Sequence, residues 1–237
     1  MSALHRTGTT AVAALLALAA CDEPVTGPAG SADFLAPAFS QAAALHQTVA
    51  VSWHAQQQLT AFGGNGKSGM VEGAWAQLTR NKNGIHYQIH ANELNPGNAY
   101  SLWLVVVNNP TACAATPCSA PDIFNPNTDS QVRSGGTGTV AGAAGKGTPA
   151  GSARVGPLDG WLEGRSLKDP FAAEVHLVIN DHGPMLPEFM PGMITTYRAG
   201  CSDASPFPGV FPATALADGE PGPNTCLLYQ VAVFRAP

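Results

Sequence analysis

Nine consecutive residues, Ala99-Tyr100-Ser101-Leu102-Trp103-Leu104-Val105-Val106-Val107, run without a charge between two turn signals, Asn95-Pro96-Gly97-Asn98 and Asn108-Asn109-Pro110. The run is too short to span a bilayer and is apolar on both faces of an extended chain, the pattern of a central strand in a packed sheet. In the turn before it, Pro96 suits the second position of a type II turn and Gly97 the positive-φ third position. Two more segments read as strands: Ala173-Glu174-Val175-His176-Leu177-Val178-Ile179-Asn180 and Cys226-Leu227-Leu228-Tyr229-Gln230-Val231-Ala232-Val233-Phe234. A strand over residues 69–79, the hairpin signal Asn83-Gly84 and the strand Ile85-His86-Tyr87-Gln88-Ile89-His90-Ala91 complete the first half. In the last of these Ile85, Tyr87, Ile89 and Ala91 share the core face, while His86, Gln88 and His90 share the wet one. With the run at 99–107 these strands are expected to form a meander. Short strands are expected at Thr137-Gly138-Thr139-Val140 and Ala153-Arg154-Val155, paired as a hairpin, and a weaker one near Val49 and Val51.

Composition agrees with a turn-rich β protein. Gly 26 and Pro 20 make 46 of 237 residues, only 11% of residues are charged against about 25% in ordinary domains, and 45% are apolar. That apolar fraction supports a core and excludes a disordered chain, while four lysines and seven glutamates are too few to clothe a bundle of amphipathic helices. No 18-residue apolar run follows the N-terminus, so a polytopic membrane protein of spanning helices is not expected. The expected fold is an all-β, single β-sandwich, immunoglobulin-like or similar, of six to eight strands with long Pro/Gly loops, over residues 38–237.

The N-terminus is a targeting segment. His5 and Arg6 precede the ten-residue apolar run at 11–20, the length of a signal-peptide core. Leu18-Ala19-Ala20-Cys21 resembles the lipobox of bacterial lipoproteins, which implies cleavage after residue 20 and acylation, including palmitate, on Cys21. Each buried acyl CH₂ contributes about 0.8 kcal/mol, so two or three chains anchor a protein stably. Residues 21–37, small and broken by Pro and Gly, read as a tether. Removing Arg6 leaves ten basic and sixteen acidic residues, a charge of −6 that argues against a nucleic-acid partner. The expected location is the periplasmic or cell-surface side of a membrane, with an envelope protein or glycan as a further partner.

Cys113, Cys118, Cys201 and Cys226 then form an even set in an exported chain, and two disulfides are expected. Of three pairings, Cys113–Cys118 with Cys201–Cys226 is preferred, since each brackets one Pro- or Gly-rich loop. Cys-x4-Cys and Cys-x24-Cys without flanking histidines match no standard zinc spacing.

The apolar strand with Asn108-Asn109-Pro110, Cys113, Cys118 and Asp122-Ile123-Phe124-Asn125-Pro126, followed by Ala173-Glu174-Val175-His176-Leu177-Val178-Ile179-Asn180-Asp181-His182-Gly183-Pro184 and the late cysteines, resembles a family of uncharacterised exported bacterial β-domain proteins. The resemblance covers residues 69–235 and brings no activity with it. A looser similarity, in the turn before an apolar strand and in the His-bearing strand, is to chordin-type β-sandwich domains.

The sharpest chemical candidate is Glu174 with His176 and His182. Glu174 and His176 share one strand face about 7 Å apart, and His182 sits on the turn leaving the strand. Two imidazoles and a carboxylate suit Zn²⁺ or Cu²⁺, with His86 or His90 as a further ligand; as scaffold, His176 is instead a satisfied histidine under a loop and His182 a donor that fixes its turn. No nucleophile elbow, His-Glu-x-x-His helix, Walker loop or dinucleotide fingerprint is present, and no catalytic residue is assigned. A hydrolase built on Ser166, Asp169, His176 and His182 lacks spacing that sets a nucleophile against a base, and Gly145-Lys146-Gly147 reads as a turn rather than a phosphate loop. Of the tryptophans, Trp103 and Trp75 are expected in the core, and Trp161 is the candidate for an exposed carbohydrate platform. The expected function is a non-catalytic binding or structural module of the cell envelope, with an extracytoplasmic metal-binding protein as the alternative.

Overall fold

The apolar run becomes β4 (Asn98–Val107), hydrogen-bonded on one side to β11 (Glu174–Pro184) and on the other to β5 (Ser130–Ser134) and β6 (Thr139–Val140). The structure, a computed structural model, describes residues 52–61, 69–157, 161–163, 166–205 and 213–237. The signal segment, the tether with Cys21, the start of the expected domain at 38 and the weak strand near Val49 and Val51 lie outside the described residues. No helix among the described residues is long and apolar enough to cross a membrane.

The remaining strands are β1 (Trp53–Ala61), β2 (Met70–Asn81), β3 (Gly84–His90), β7 (Ala150–Arg154), β8 (Gly156–Pro157), β9 (Trp161–Glu163), β10 (Ser166–Leu167) and β12 (Leu227–Phe234). Eight of the described strands have five residues or more. They form a large antiparallel sheet in the order β7-β3-β2-β1-β12-β11-β4-β5-β9, with β6 beside β4 and β8 paired to β10. The fold is all-β. The sheet curls until β7 meets the segment after β5, where Thr137 bridges Ala150 and the Tyr87 hydroxyl donates to the Gly135 carbonyl at 2.6 Å. The two layers of a sandwich are thus the opposite sides of one curled sheet. At the seam a Cβ on Gly151 would collide with the Gly135 oxygen, so only glycine permits this approach.

Two expectations about pairing are corrected. The β2–β3 hairpin forms, with Asn81 opposite Gly84, but β3 pairs with β7 and not with β4. No meander results, because a strand apolar on both faces needs cover on both, and β4 finds it in the centre of the far half. The short strands β6 and β7 do not pair as one hairpin: β6 joins β4, β7 joins β3, and the single bridge at Thr137 links them. The turn at 95–98 closes as expected, with Gly97 at φ +83° and the Asn98 amide donating to the Asn95 carbonyl at 3.1 Å. Both disulfides form in the preferred pairing, Cys113–Cys118 and Cys201–Cys226.

The inner face buries Leu102, Leu104, Val106, Val175, Leu177, Ile179, Tyr229, Ala232 and Phe234 against Leu59, Leu78, Ile85, Tyr87 and Ile89. Arg80, fully buried, donates to the carbonyls of Ala173 (2.7 Å), Phe234 (3.2 Å), Arg235 (3.1 Å) and Pro170, tying the start of β11 to the end of β12. The outer face of β4, β11 and β12 carries a second apolar layer, Trp103, Val105, Val107, Val132, Val178, Tyr197 and Ala215. Loops cover it: the Cys113–Cys118 loop with the short helix α1 (Ala120–Ile123), the chain around α2 (Gly192–Thr195), and α3 (Ala213–Leu216).

Candidate functional site

Alternation along β11 places Val175, Leu177 and Ile179 inward and Glu174, His176 and Val178 outward, under the loops. There the sheet and its cover do not meet fully. A cavity of about 250 Å³ remains between β4, β11 and β12 and the loop carrying Cys118, Ser119, Ala120, Ile123 and Phe124, with Tyr197 closing one side. Its lining is Val105, Val132, Val178, Leu228, Val231, Val233 and aromatic rings, with His176 among its few polar side chains. Trp103 and Tyr197 meet edge to face at 4.8 Å.

Glu174 and His176 are 3% and 5% exposed, and Glu174 Oε1 stands 2.7 Å from His176 Nε2. The same oxygen accepts from the Cys118 amide at 2.8 Å, so Glu174 ties the disulfide loop to the strand. Burial acts to raise its carboxyl. The hydrogen bond and charge of His176, the Cys118 amide and Arg235 outweigh burial and hold it below the usual carboxylate value. The cover loop is fixed by Asp122, which accepts from the Ser119 hydroxyl (2.6 Å) and the amides of Ser119 and Ala114 (both 2.8 Å) and is lowered to about 2 by those bonds.

His182 is not brought to this pair. It is six residues further along β11, about 20 Å at strand rise, and is fully buried. Its Nδ1 donates to the Ala199 carbonyl at 2.8 Å, which leaves Nε2 to accept from the Ser101 hydroxyl at 2.7 Å; that hydroxyl in turn accepts from Trp103 Nε1 at 2.9 Å. Burial lowers its pKa to about 4, against the hydrogen bond to Ala199. His182 does lie beside the second disulfide, with Cys201 Sγ 3.4 Å from Nδ1 and Cys226 close by. Those sulfurs are joined to each other and offer no thiolate to a metal.

His86 and His90 lie on β3, separated from β11 by three strands. His90 stacks on Trp75 at 3.7 Å. Trp75 is therefore a correction: it is half-buried on the outer face, because its neighbours Ala74 and Ala76 take the inner one. Trp103 is core as expected, while the Trp161 side chain lies outside the described residues. Ser166 and Asp169 serve loops: the Ser166 amide donates to Gln131, and Asp169 accepts from the Phe171 amide. Gly145, at φ +63°, closes a turn by donating to the Gly142 carbonyl at 2.9 Å, and Gly147 bridges Ala91.

Fold and site together define an all-β domain stapled by two disulfides, with an apolar cavity and a buried carboxylate–imidazole pair on the outer face of its sheet. Compared with protein-family models, with curated proteins and with solved structures, the chain matches none.

Proposed function

We propose that the chain is a lipid-anchored, non-catalytic binding module of the bacterial cell envelope that takes a small, mostly apolar molecule into the cavity over β4, β11 and β12. The cavity carries this proposal. The cavity is partly open to solvent and lined almost wholly by apolar side chains, and about 250 Å³ equals the liquid volume of roughly eight waters at about 30 Å³ each. Apolar side chains that face an unfilled cavity forgo the dispersion contacts that an apolar guest would supply. The Leu18-Ala19-Ala20-Cys21 motif supports the anchor, and the tether after it gives the domain reach from the membrane.

The test uses the full-length chain carrying Cys21→Ser, exported to an oxidising compartment and labelled at tryptophan. Toluene is titrated while the Trp103 indole resonances are followed. Saturable shifts of Trp103 that vanish on Val178→Phe, which fills the cavity, are expected; shifts that stay linear in toluene would show that the cavity takes no ligand.

A further inference from the structure

Among the polar side chains of the cavity wall, His176 keeps one ring nitrogen that packing does not engage. The His176 side chain is 7% exposed and lines the cavity, yet only one of its ring nitrogens has a partner. Nε2 faces Glu174 Oε1 at 2.7 Å. An ionised carboxylate only accepts hydrogen bonds, so Nε2 carries a proton, and whenever the ring is neutral Nδ1 is left as an acceptor. No described residue donates to Nδ1. Ser119, another polar lining residue, spends its hydroxyl on Asp122 at 2.6 Å. Glu174 is a positioning residue here: lying behind His176 and outside the cavity lining, it fixes which nitrogen is the acceptor.

We infer that His176 Nδ1 receives a hydroxyl group and that the ligand is a phenol, one aromatic ring with a single hydroxyl and an otherwise apolar body. The inference rests on the reading of the cavity as a ligand site. Size sets the first limit: an engineered cavity of about 150 Å³ holds benzene, so about 250 Å³ has room for roughly ten non-hydrogen atoms. Trp103, Tyr197 and Phe124 present rings to that space, which favours an aromatic guest. Charge sets the second limit. Neither a carboxylate nor a Lys or Arg lies among the lining residues, so with His176 neutral an ammonium or a carboxylate ligand would be buried without a counter-charge. A neutral donor meets the acceptor at His176 Nδ1.

The test compares p-cresol with toluene, which has the same shape without the hydroxyl, on the full-length Cys21→Ser chain at pH 8. Affinities are measured by calorimetry and the ¹⁵N resonance of His176 Nδ1 is followed. One added neutral hydrogen bond is expected to make p-cresol bind about 2- to 12-fold tighter than toluene, with the Nδ1 resonance moving only for p-cresol. His176→Leu, matched in volume, is expected to erase the difference while toluene still binds. Equal binding of both ligands to the unsubstituted chain would overturn recognition by His176 and leave the cavity as a ligand site. Binding of neither would overturn both. The ligand pair on the unsubstituted chain decides the matter even where His176→Leu, which strips Glu174 of its partner, fails to fold.

Discussion

Acid should unfold this domain through His182 in a way that can be isolated and measured. The ring is fully buried, its pKa is lowered from 6.5 to about 4 by that burial, and both nitrogens are engaged while it is neutral. The unfolded chain takes up the proton near 6.5 and the folded chain resists it until about 4. Between those values the unfolded state binds more protons, so stability is complete above 6.5 and falls as pH drops. Integrating the two titrations gives a loss of about 2 kcal/mol at pH 5 and about 3 kcal/mol at pH 4 relative to pH 7. Other groups also titrate: Glu174, held low, loses stability in acid as well, whereas Asp181, pushed up by burial, works in the opposite direction. Comparison with His182→Asn removes them, since the Asn amide can still donate to Ala199 but has no titration of its own. Urea unfolding of both chains at pH 7, 6 and 5, disulfides intact, is the assay. The gap between them is expected to narrow by about 2 kcal/mol from pH 7 to pH 5. Parallel stability curves would refute a buried, neutral His182.

Three further outcomes are expected. Gly151→Ala drives a methyl into the Gly135 carbonyl and the Tyr87 ring at the sheet seam, and should lower the unfolding free energy by about 1–3 kcal/mol in urea titrations. Removing Cys201–Cys226, which spans 25 residues, should cost about 3.5 kcal/mol, and removing Cys113–Cys118, which spans 5, about 2 kcal/mol, so the urea midpoint should fall further for the first. Elemental analysis of the untagged chain after exposure to Zn²⁺ and Cu²⁺ should find no stoichiometric ion dependent on both His176 and His182, because Glu174 and His176 stand apart from His182 along β11; about one ion per chain lost in either His→Ala variant would restore the metal alternative.

The strands were legible where a period or a turn residue dictates them. Alternation in β3 and the two-sided apolar run of β4 follow from local sequence, as do the Gly97 turn and the two disulfide-bracketed loops. Pairing was not, because β3 bonds to β7 across more than sixty residues, and nothing near Ile85 or Tyr87 encodes that partner. Trp75 was misplaced for a related reason: the small inward residues Ala74 and Ala76 suit the inside of a tightly curled sheet, and curl is a property of the whole ladder. Glu174 and His176 were legible as a pair by their i, i+2 spacing. The void beside them was not, since it is set by how residues 109–128, 192–205 and 213–216 settle over the sheet.

The place of β12 has a consequence for how such a chain is made. The last strand in sequence lies between β1 and β11, and Arg80 on β2 grips the carbonyls of Phe234 and Arg235 at its end. Synthesis proceeds from the N-terminus, so the strand that joins the two halves of the sheet emerges after the strands on either side of it. Until it does, β1 and β11 each present a bare edge, ready to pair with a neighbouring chain. A nascent chain lacking β12 cannot close its sheet, which favours a chain kept unfolded until its final residues arrive. Loss of β12 should show as aggregation.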